Sequence, residues 1–135
     1  MLMGDMLTLK QSNLPVKVVI FSNSLLGFVD IEMKASGFLP TMTSMVNPDF
    51  SKLAMDAGIY GVRVEDPSKL REALTKAFEH DGPAIIDVVT DRLELVMPPT
   101  INLEQAKGFS IWMMKAVLNG QASEIIDVAL TAVRH

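Results

Sequence analysis

The stretch Val16-Lys17-Val18-Val19-Ile20-Phe21 is nearly continuous β-branched and aromatic material, and it runs straight into Ser22-Asn23-Ser24. Apolar residues at successive rather than alternate positions predict a strand covered on both faces, as in a parallel sheet. Parallel strands cannot be joined by a tight turn, so the segments between them have to be crossovers, usually helical. The rest of the sequence fits that demand. Tyr60–Val64 and Ala84–Val89 read as two further strands, the latter behind the turn Asp81-Gly82-Pro83. Between them, Leu70, Ala73, Leu74, Ala77 and Phe78 form the clearest amphipathic stripe, opened by Asp66-Pro67. An earlier helix is predicted to start at Asn47-Pro48, with Asn as cap and Pro at the first helical position, and to carry Phe50, Leu53, Ala54 and Ala57 up to Gly58.

Met1, Leu2, Met6, Leu7 and Leu9 give an N-terminal helical face that Asn13-Leu14-Pro15 ends. Leu25 to Met33 is helix-compatible despite Gly27, and residues 35–48 form the longest irregular stretch. Pro98-Pro99 closes an extended segment. Beyond it, Asn102 with Gln105 resembles a capping box for a helix over 103–119, and Gly120 separates it from a second helix over 123–133. The expected fold class is therefore α/β, a three-layer α/β/α arrangement with a parallel sheet of the flavodoxin-like kind. The first strand is expected at its centre. Three strands make a thin parallel sheet, so the sheet is expected to be incomplete, with C-terminal helices added.

Composition narrows the chemistry. The 135 residues suffice for one compact domain, and the net charge of −4 leaves no basic stripe for nucleic acid. There is no cysteine, which excludes disulfides, thiolate metal sites and Cys nucleophiles. His80 and His135 are the only histidines, so a His-built metal cluster is not expected either. The longest purely apolar runs fall far short of the roughly twenty residues that span a bilayer, and no basic stretch marks the N-terminus as a signal peptide. Ten scattered Met residues read as core fillers, Trp112 as a packing residue, and His80 as a helix-end residue suited to the dipole. No G-x-G-x-x-G is present for a Rossmann site, and Phe21-Ser22-Asn23 lacks the acidic cluster of a receiver-type module, which weakens the reading as a free-standing flavodoxin-like binding module.

Ligands of open α/β sheets bind beyond the carboxyl ends of the strands. That points to Ser22–Leu25, to Glu65-Asp66 and to Thr90-Asp91; Glu65-Asp66 and Asp91-Arg92 themselves read as caps and solvated turns. In the first, an Asn side chain and backbone carbonyls are hard oxygen donors of the kind Mg²⁺ takes. The same Ser-Asn-Ser is also explained as a helix cap.

The segment Leu14-Pro-Val-Lys-Val-Val-Ile-Phe-Ser-Asn-Ser-Leu-Leu-Gly-Phe28 resembles the central motif of thiamine-diphosphate-dependent enzymes, in the domain that binds the cofactor diphosphate. Asp49-Phe-Ser-Lys-Leu-Ala54, Gly61-Val-Arg-Val64 and Asp81-Gly-Pro-Ala-Ile-Ile-Asp-Val88 follow the family's course. Through Pro98-Pro99 and Leu103-Glu-Gln-Ala-Lys-Gly-Phe109 the resemblance extends to bacterial pyruvate oxidases of the quinone-linked type. It implies that residues 1–100 are part of a cofactor-binding domain and that 101–135 are a C-terminal helical extension. It implies thiamine diphosphate and Mg²⁺ as cofactors, with FAD bound outside this chain. Asn23 takes the place of a side-chain metal ligand and Leu25 that of a backbone-carbonyl ligand, with Ser22 where the family has another Asn. Ser24, Leu26, Gly27 and Phe28 would line the cofactor. Phe28 would face the reacting acyl group, and Glu32 matches an acidic active-site residue that is otherwise a solvated helix carboxylate.

Gly4-Asp5 is followed by Met6 rather than Gly, and Asp5 precedes Asn23 by only 18 residues, too few for the family's Gly-Asp-Gly motif. The resemblance thus implies a chain that begins after that motif, lacks the metal-anchoring Asp, and is inactive alone. The parent reaction would be decarboxylation of a 2-oxo acid such as pyruvate, with electrons passing to flavin and quinone. An uncovered edge at Val16–Phe21 implies self-association as a homo-oligomer. A second class of function is contact with a membrane or partner through Ile125, Ile126, Ala129, Leu130 and Val133, against which Glu124 and Asp127 count. The expected location is cytoplasmic, with peripheral contact on the inner face of the cell membrane as the variant.

Overall fold

The computed structural model describes residues 3–92 and 102–133, with side chains to residue 130. Expectations resting on Met1, Leu2, Pro98-Pro99, the side chain of Val133 and His135 lie outside these residues, as does the division at residue 100. The chain forms two compact units, Met1–Asn23 with Asn47–Thr90, and Ser24–Val46 with Asp91–His135.

The first unit holds helix α1 (Asp5–Gln11), strand β1 (Lys17–Ser22), helix α3 (Phe50–Asp56), strand β2 (Tyr60–Val64), helix α4 (Leu70–Glu79) and strand β3 (Ala84–Val89); α2 belongs to the second unit. The three strands are all parallel, in the order β1-β3-β2, with Ile20, Asp87 and Arg63 in register across the sheet. Side chains alternate between the faces of β3. Ala84, Ile86 and Val88 pack with Val64 and with Ala73 and Ala77 of α4, whereas Ile85 packs with Ile59 and Ala54, joined by Met6, Val18, Ile20 and Phe50. The result is helix, sheet, helix, the α/β arrangement expected, with a sheet of three strands among the described residues.

The centre of that sheet is β3, not β1. An apolar run reports that a strand's faces are covered, whereas a central place concerns its edges, about which such a run says nothing. In β1, residues 17–20 are half-buried and Phe21 is 73% exposed, while Ala84 to Val88 are all buried. The one carboxylate in β3 is accommodated by partners: Asp87 accepts from Arg63 Nη1 at 2.5 Å and from the backbone N–H of Phe50 at 3.2 Å. Asp87 therefore fixes the start of α3 against β3 and β2. At the other end of the sheet, Lys17 Nζ donates to the carbonyls of His80 (2.8 Å) and Gly82.

Two helix starts differ from expectation. The cap of α3 is Asp49, two residues after Asn47; its carboxylate accepts from Ser51 Oγ at 2.6 Å and from the Lys52 N–H at 3.0 Å. Asp accepts both bonds as an anion, which strengthens them. Asp66 caps a single 3₁₀ turn, Pro67–Lys69, ahead of α4, accepting from the Ser68 N–H at 2.9 Å. Phe78 drops out of the buried stripe of α4 and is 64% exposed. Gly61 is required by packing, since a Cβ there would meet the Ser51 carbonyl oxygen at 2.1 Å.

The second unit holds α2 (Gly27–Ala35), α5 (Leu103–Leu118) and α6 (Ala122–Val133). The capping box at Asn102 and Gln105 is present with both bonds, at 2.8 and 3.0 Å. Trp112 is buried as a packing residue, and Lys34 Nζ lies 5.1 Å from its ring centroid. Gly108 lets α5 approach the end of α2, where a Cβ would meet the Ala35 carbonyl oxygen at 1.7 Å. The apolar stripe expected along α6 is divided: Ile125 is half-buried, whereas Ile126, Ala129 and Leu130 are exposed. Among the described residues, no helix is long and apolar enough to cross a membrane.

The cap of α3 carries a pH signature. Its bond from Ser51, then that from the Lys52 N–H, lowers the Asp49 pKa from 3.8 to about 2. A carboxyl depressed in the folded state contributes stability that is complete above its ordinary value and is lost as pH falls toward the folded one. Thermal melts of Asp49→Asn should therefore lose less stability than the parent between pH 3.8 and about 2; identical acid profiles would refute this role.

Candidate functional site

Asn23 stands in the first unit, directly beyond the carboxyl end of β1, where the Ser22 carbonyl still accepts a ladder bond from the Thr90 N–H at 3.2 Å. It is half-buried. This is the position at which open α/β sheets present ligand-binding groups.

In the second unit the chain continues as a turn. Ser24 has φ 54°, in the left-handed region that a non-glycine residue occupies only when its surroundings hold it there. Leu25 forms an antiparallel bridge with Ser44, the Leu26 N–H donates to the Thr43 carbonyl at 2.8 Å, and the Met45 N–H donates to the Ser24 carbonyl at 3.0 Å. The Leu25 side chain is buried. Leu26 precedes α2 as its cap position, and Gly27 is the first helical residue.

Helix α2 is unusual in burying its charges. Asp30, Ile31 and Lys34 lie on the inner arc. Lys34 Nζ pairs with Asp30 Oδ2 at 2.7 Å and with Glu124 Oε1 at 2.8 Å, while Asp30 Oδ1 accepts from Thr43 Oγ1 at 3.1 Å. Phe28, Val29 and Glu32 consequently occupy the outer arc, with Phe28 at 78% exposure. Phe28 and Glu32 are one helical turn apart, hence neighbours on that surface. The structure thus brings the two expected catalytic residues onto one exposed face, and leaves Asn23 in the first unit.

Two features were not foreseen. Asp30 and Lys34 carried a signal, an i,i+4 pair of opposite charge, but spacing alone cannot say that such a pair is buried. Arg92 lies in the exposed turn expected of it, and from there it also donates from Nη1 to the Ser24 carbonyl at 3.0 Å and from Nη2 to Ser44 Oγ. Its partners lie 68 and 48 residues away along the chain, beyond the reach of any local motif. Within the second unit, Asp30, Thr43, Ser44, Arg92, Glu124 and Asp127 line a polar cleft of about 410 Å³.

The donor set tests the fit of Mg²⁺. An Asn side chain and a backbone carbonyl are oxygen donors of the right hardness, and neither adds charge. Among the described residues, no group of three or more His, Cys, Asp or Glu is arranged to hold a metal. The Asn23 side chain, in the first unit, and the Leu25 carbonyl, in the second, are each of a donor type that suits Mg²⁺, and neither supplies a carboxylate.

A parallel sheet with helices on both faces defines an α/β domain, a class whose open sheets take ligands beyond the carboxyl ends of their strands. More specifically, the chain belongs to the thiamine pyrophosphate enzymes: residues 1–88 match their C-terminal TPP binding domain. The Bacillus subtilis (strain 168) protein YdaP, whose name describes it as thiamine pyrophosphate-containing, is 33% identical over 125 residues, 93% of this chain and 22% of YdaP. The mitochondrial acetolactate synthase catalytic subunit of Aspergillus candidus is 37% identical over 101 residues, 73% of this chain and 14% of that protein. The large subunit of acetolactate synthase isozyme 2 from Escherichia coli (strain K12) is 34% identical over 95 residues, 67% of this chain and 17% of that subunit. The chain spans less than a quarter of the length of these relatives.

Removing one member of a buried ion pair leaves the other without compensation, at a cost of about 3–5 kcal/mol. Lys34→Ala is expected to destabilise the second unit by that amount. The double variant Asp30→Leu/Lys34→Met should cost less than the single one, because no charge of the pair remains buried. Urea unfolding of the three chains checks the order, and equal losses would contradict it.

Proposed function

We propose that this chain supplies the Mg²⁺- and diphosphate-binding turn of a thiamine-diphosphate-dependent enzyme that decarboxylates a 2-oxo acid. The observation that carries the reading is the position of Asn23 at the carboxyl end of β1, within the span matching the TPP binding domain. Asn23 would ligate Mg²⁺ through its side-chain oxygen and Leu25 through its backbone carbonyl. Ser24, Leu26, Gly27 and Phe28 would line the cofactor, with Phe28 and Glu32 directed to the substrate from the outer arc of α2. When bound, thiamine diphosphate supplies the electron sink that decarboxylation of a 2-oxo acid requires. The exposed aromatic ring of Phe28 offers apolar surface for excluding water from an acyl group, and Glu32 offers a carboxylate one turn further on that can hold or release a proton.

The acetolactate synthases among the relatives support chemistry on 2-oxo acids. The resemblance of Leu103–Phe109 to pyruvate oxidases favours an oxidative form, with FAD held outside this chain. Either form uses the same turn, so the binding test comes first. Mn²⁺ with thiamine diphosphate, added to isotopically labelled chain, should broaden the amide resonances of Asn23, Ser24 and Leu25, and Asn23→Ala should weaken the effect at least tenfold. Broadening centred instead on the carboxylates of the cleft, or none at all, would overturn the assignment of these ligands.

The sheet supports a further part of the reading, self-association. Among the described residues β1 is an edge strand, with Val16 ahead of it and Phe21 within it exposed. Edge strands offer backbone groups to other chains. Sedimentation velocity is expected to show a homodimer at micromolar concentration, and a clean monomer across that range would argue against it.

A further inference from the structure

We infer that Arg92 is a positioning residue for the metal-binding turn, holding Ser24 and Leu25 so that the Leu25 carbonyl faces away from the 43–45 segment; this rests on the proposed role of Leu25 as a Mg²⁺ ligand. In antiparallel pairing, residues alternate between those that exchange hydrogen bonds with the partner opposite and those whose bonds are made by their flanking neighbours. Here the flanking bonds are Met45 N–H to the Ser24 carbonyl and Leu26 N–H to the Thr43 carbonyl. Leu25 is therefore of the second kind, and its own N–H and C=O point to the side opposite Ser44.

Something has to keep this two-bond bridge from opening, since Ser24 sits at φ 54° without the tolerance of a glycine. Arg92 spans the bridge. One arm of its guanidinium donates to the Ser24 carbonyl at 3.0 Å, and the other donates to Ser44 Oγ. The Ser24 oxygen thus accepts from both Met45 and Arg92, using both of its lone pairs. A planar fork can hold two acceptors at a fixed spacing, which a lysine ammonium on a flexible stem does not reproduce. From behind, Thr43 is tied to Asp30, which is itself paired with Lys34, so the far side of the bridge rests on the buried charges of α2. Arg92 touches neither cofactor nor substrate in this scheme and acts through the turn alone.

The test uses the full 135-residue chain as wild type, Arg92→Ala, Arg92→Lys and Ser44→Ala. Amide hydrogen exchange at Leu26 and Met45 reads the bridge. Mn²⁺-dependent affinity for thiamine diphosphate, set against affinity in excess chelator, reads the ligand. Arg92→Ala should speed exchange at both amides at least tenfold with α5 amides unchanged, and should lower the Mn²⁺-dependent affinity at least tenfold with the metal-free affinity unmoved. Ser44→Ala should shift both readings in the same direction by less, and Arg92→Lys should fail to restore them. Unchanged exchange in Arg92→Ala, or wild-type behaviour of Arg92→Lys, would overturn the inference. A wild-type chain whose Asn23 and Leu25 ignore Mn²⁺ would instead overturn the ligand assignment, and exchange would still decide whether Arg92 holds the turn.

Discussion

Parallel pairing of β1 with β3 is the constraint from which the other features follow. Two strands running the same way cannot be joined by a two-residue turn, so the chain that leaves β1 at Asn23 must travel before it can return. It does so through residues 24–46, which belong to the second unit, and re-enters the first at Asn47. The same pairing puts the carboxyl ends of all three strands on one side. The departure from β1 is therefore both a topological necessity and the natural address for a ligand, and Asn23 stands there. Asp87 supports this arrangement from the middle of the central strand. It draws Arg63 from β2 and the first N–H of α3 to one buried carboxylate.

Elements whose signals are local were legible in the residues alone. Tyr60–Val64 and Ala84–Val89 form strands at those bounds, and Asn102 with Gln105 makes the reciprocal cap. Each depends on residues within a few positions of one another. The order of strands is different in kind, because Val16–Phe21 and Ala84–Val89 are both apolar runs and nothing in either says which one acquires two neighbours. The start of α3 shows a competition between two caps that spacing left undecided. Asn47 is followed by a favourable Pro, but Asp49 has Ser51 and the Lys52 N–H within reach and binds them as an anion.

The candidate site divides along the same line. Asn23 and Leu25 could be singled out because they follow a strand, and their donor types speak for themselves. Arg92 could not, because its significance lies in acceptors far away in sequence. Phe28 and Glu32 were drawn from a resemblance, and their shared surface on α2 has a physical origin that the resemblance does not contain. A helix that turns Asp30 and Lys34 inward has only its other arc left for solvent, and that arc carries Phe28. Burying an ion pair is rarely a gain in stability over apolar packing of similar volume. Its effect here is orientational, because it determines which side of α2 faces outward.

The contact at Gly108 has a consequence for anyone wishing to redesign that surface. Where α5 meets the end of α2, the closest approach is between main chains, and not even a methyl group fits. At that point peptide atoms set the lower limit on the separation of the two helices, and no side chain at position 108 fits without moving them. Phe28, Val29 and Glu32, on the outer arc of α2, take no part in that contact, so exchanging them leaves the main-chain seat of the helix itself in place.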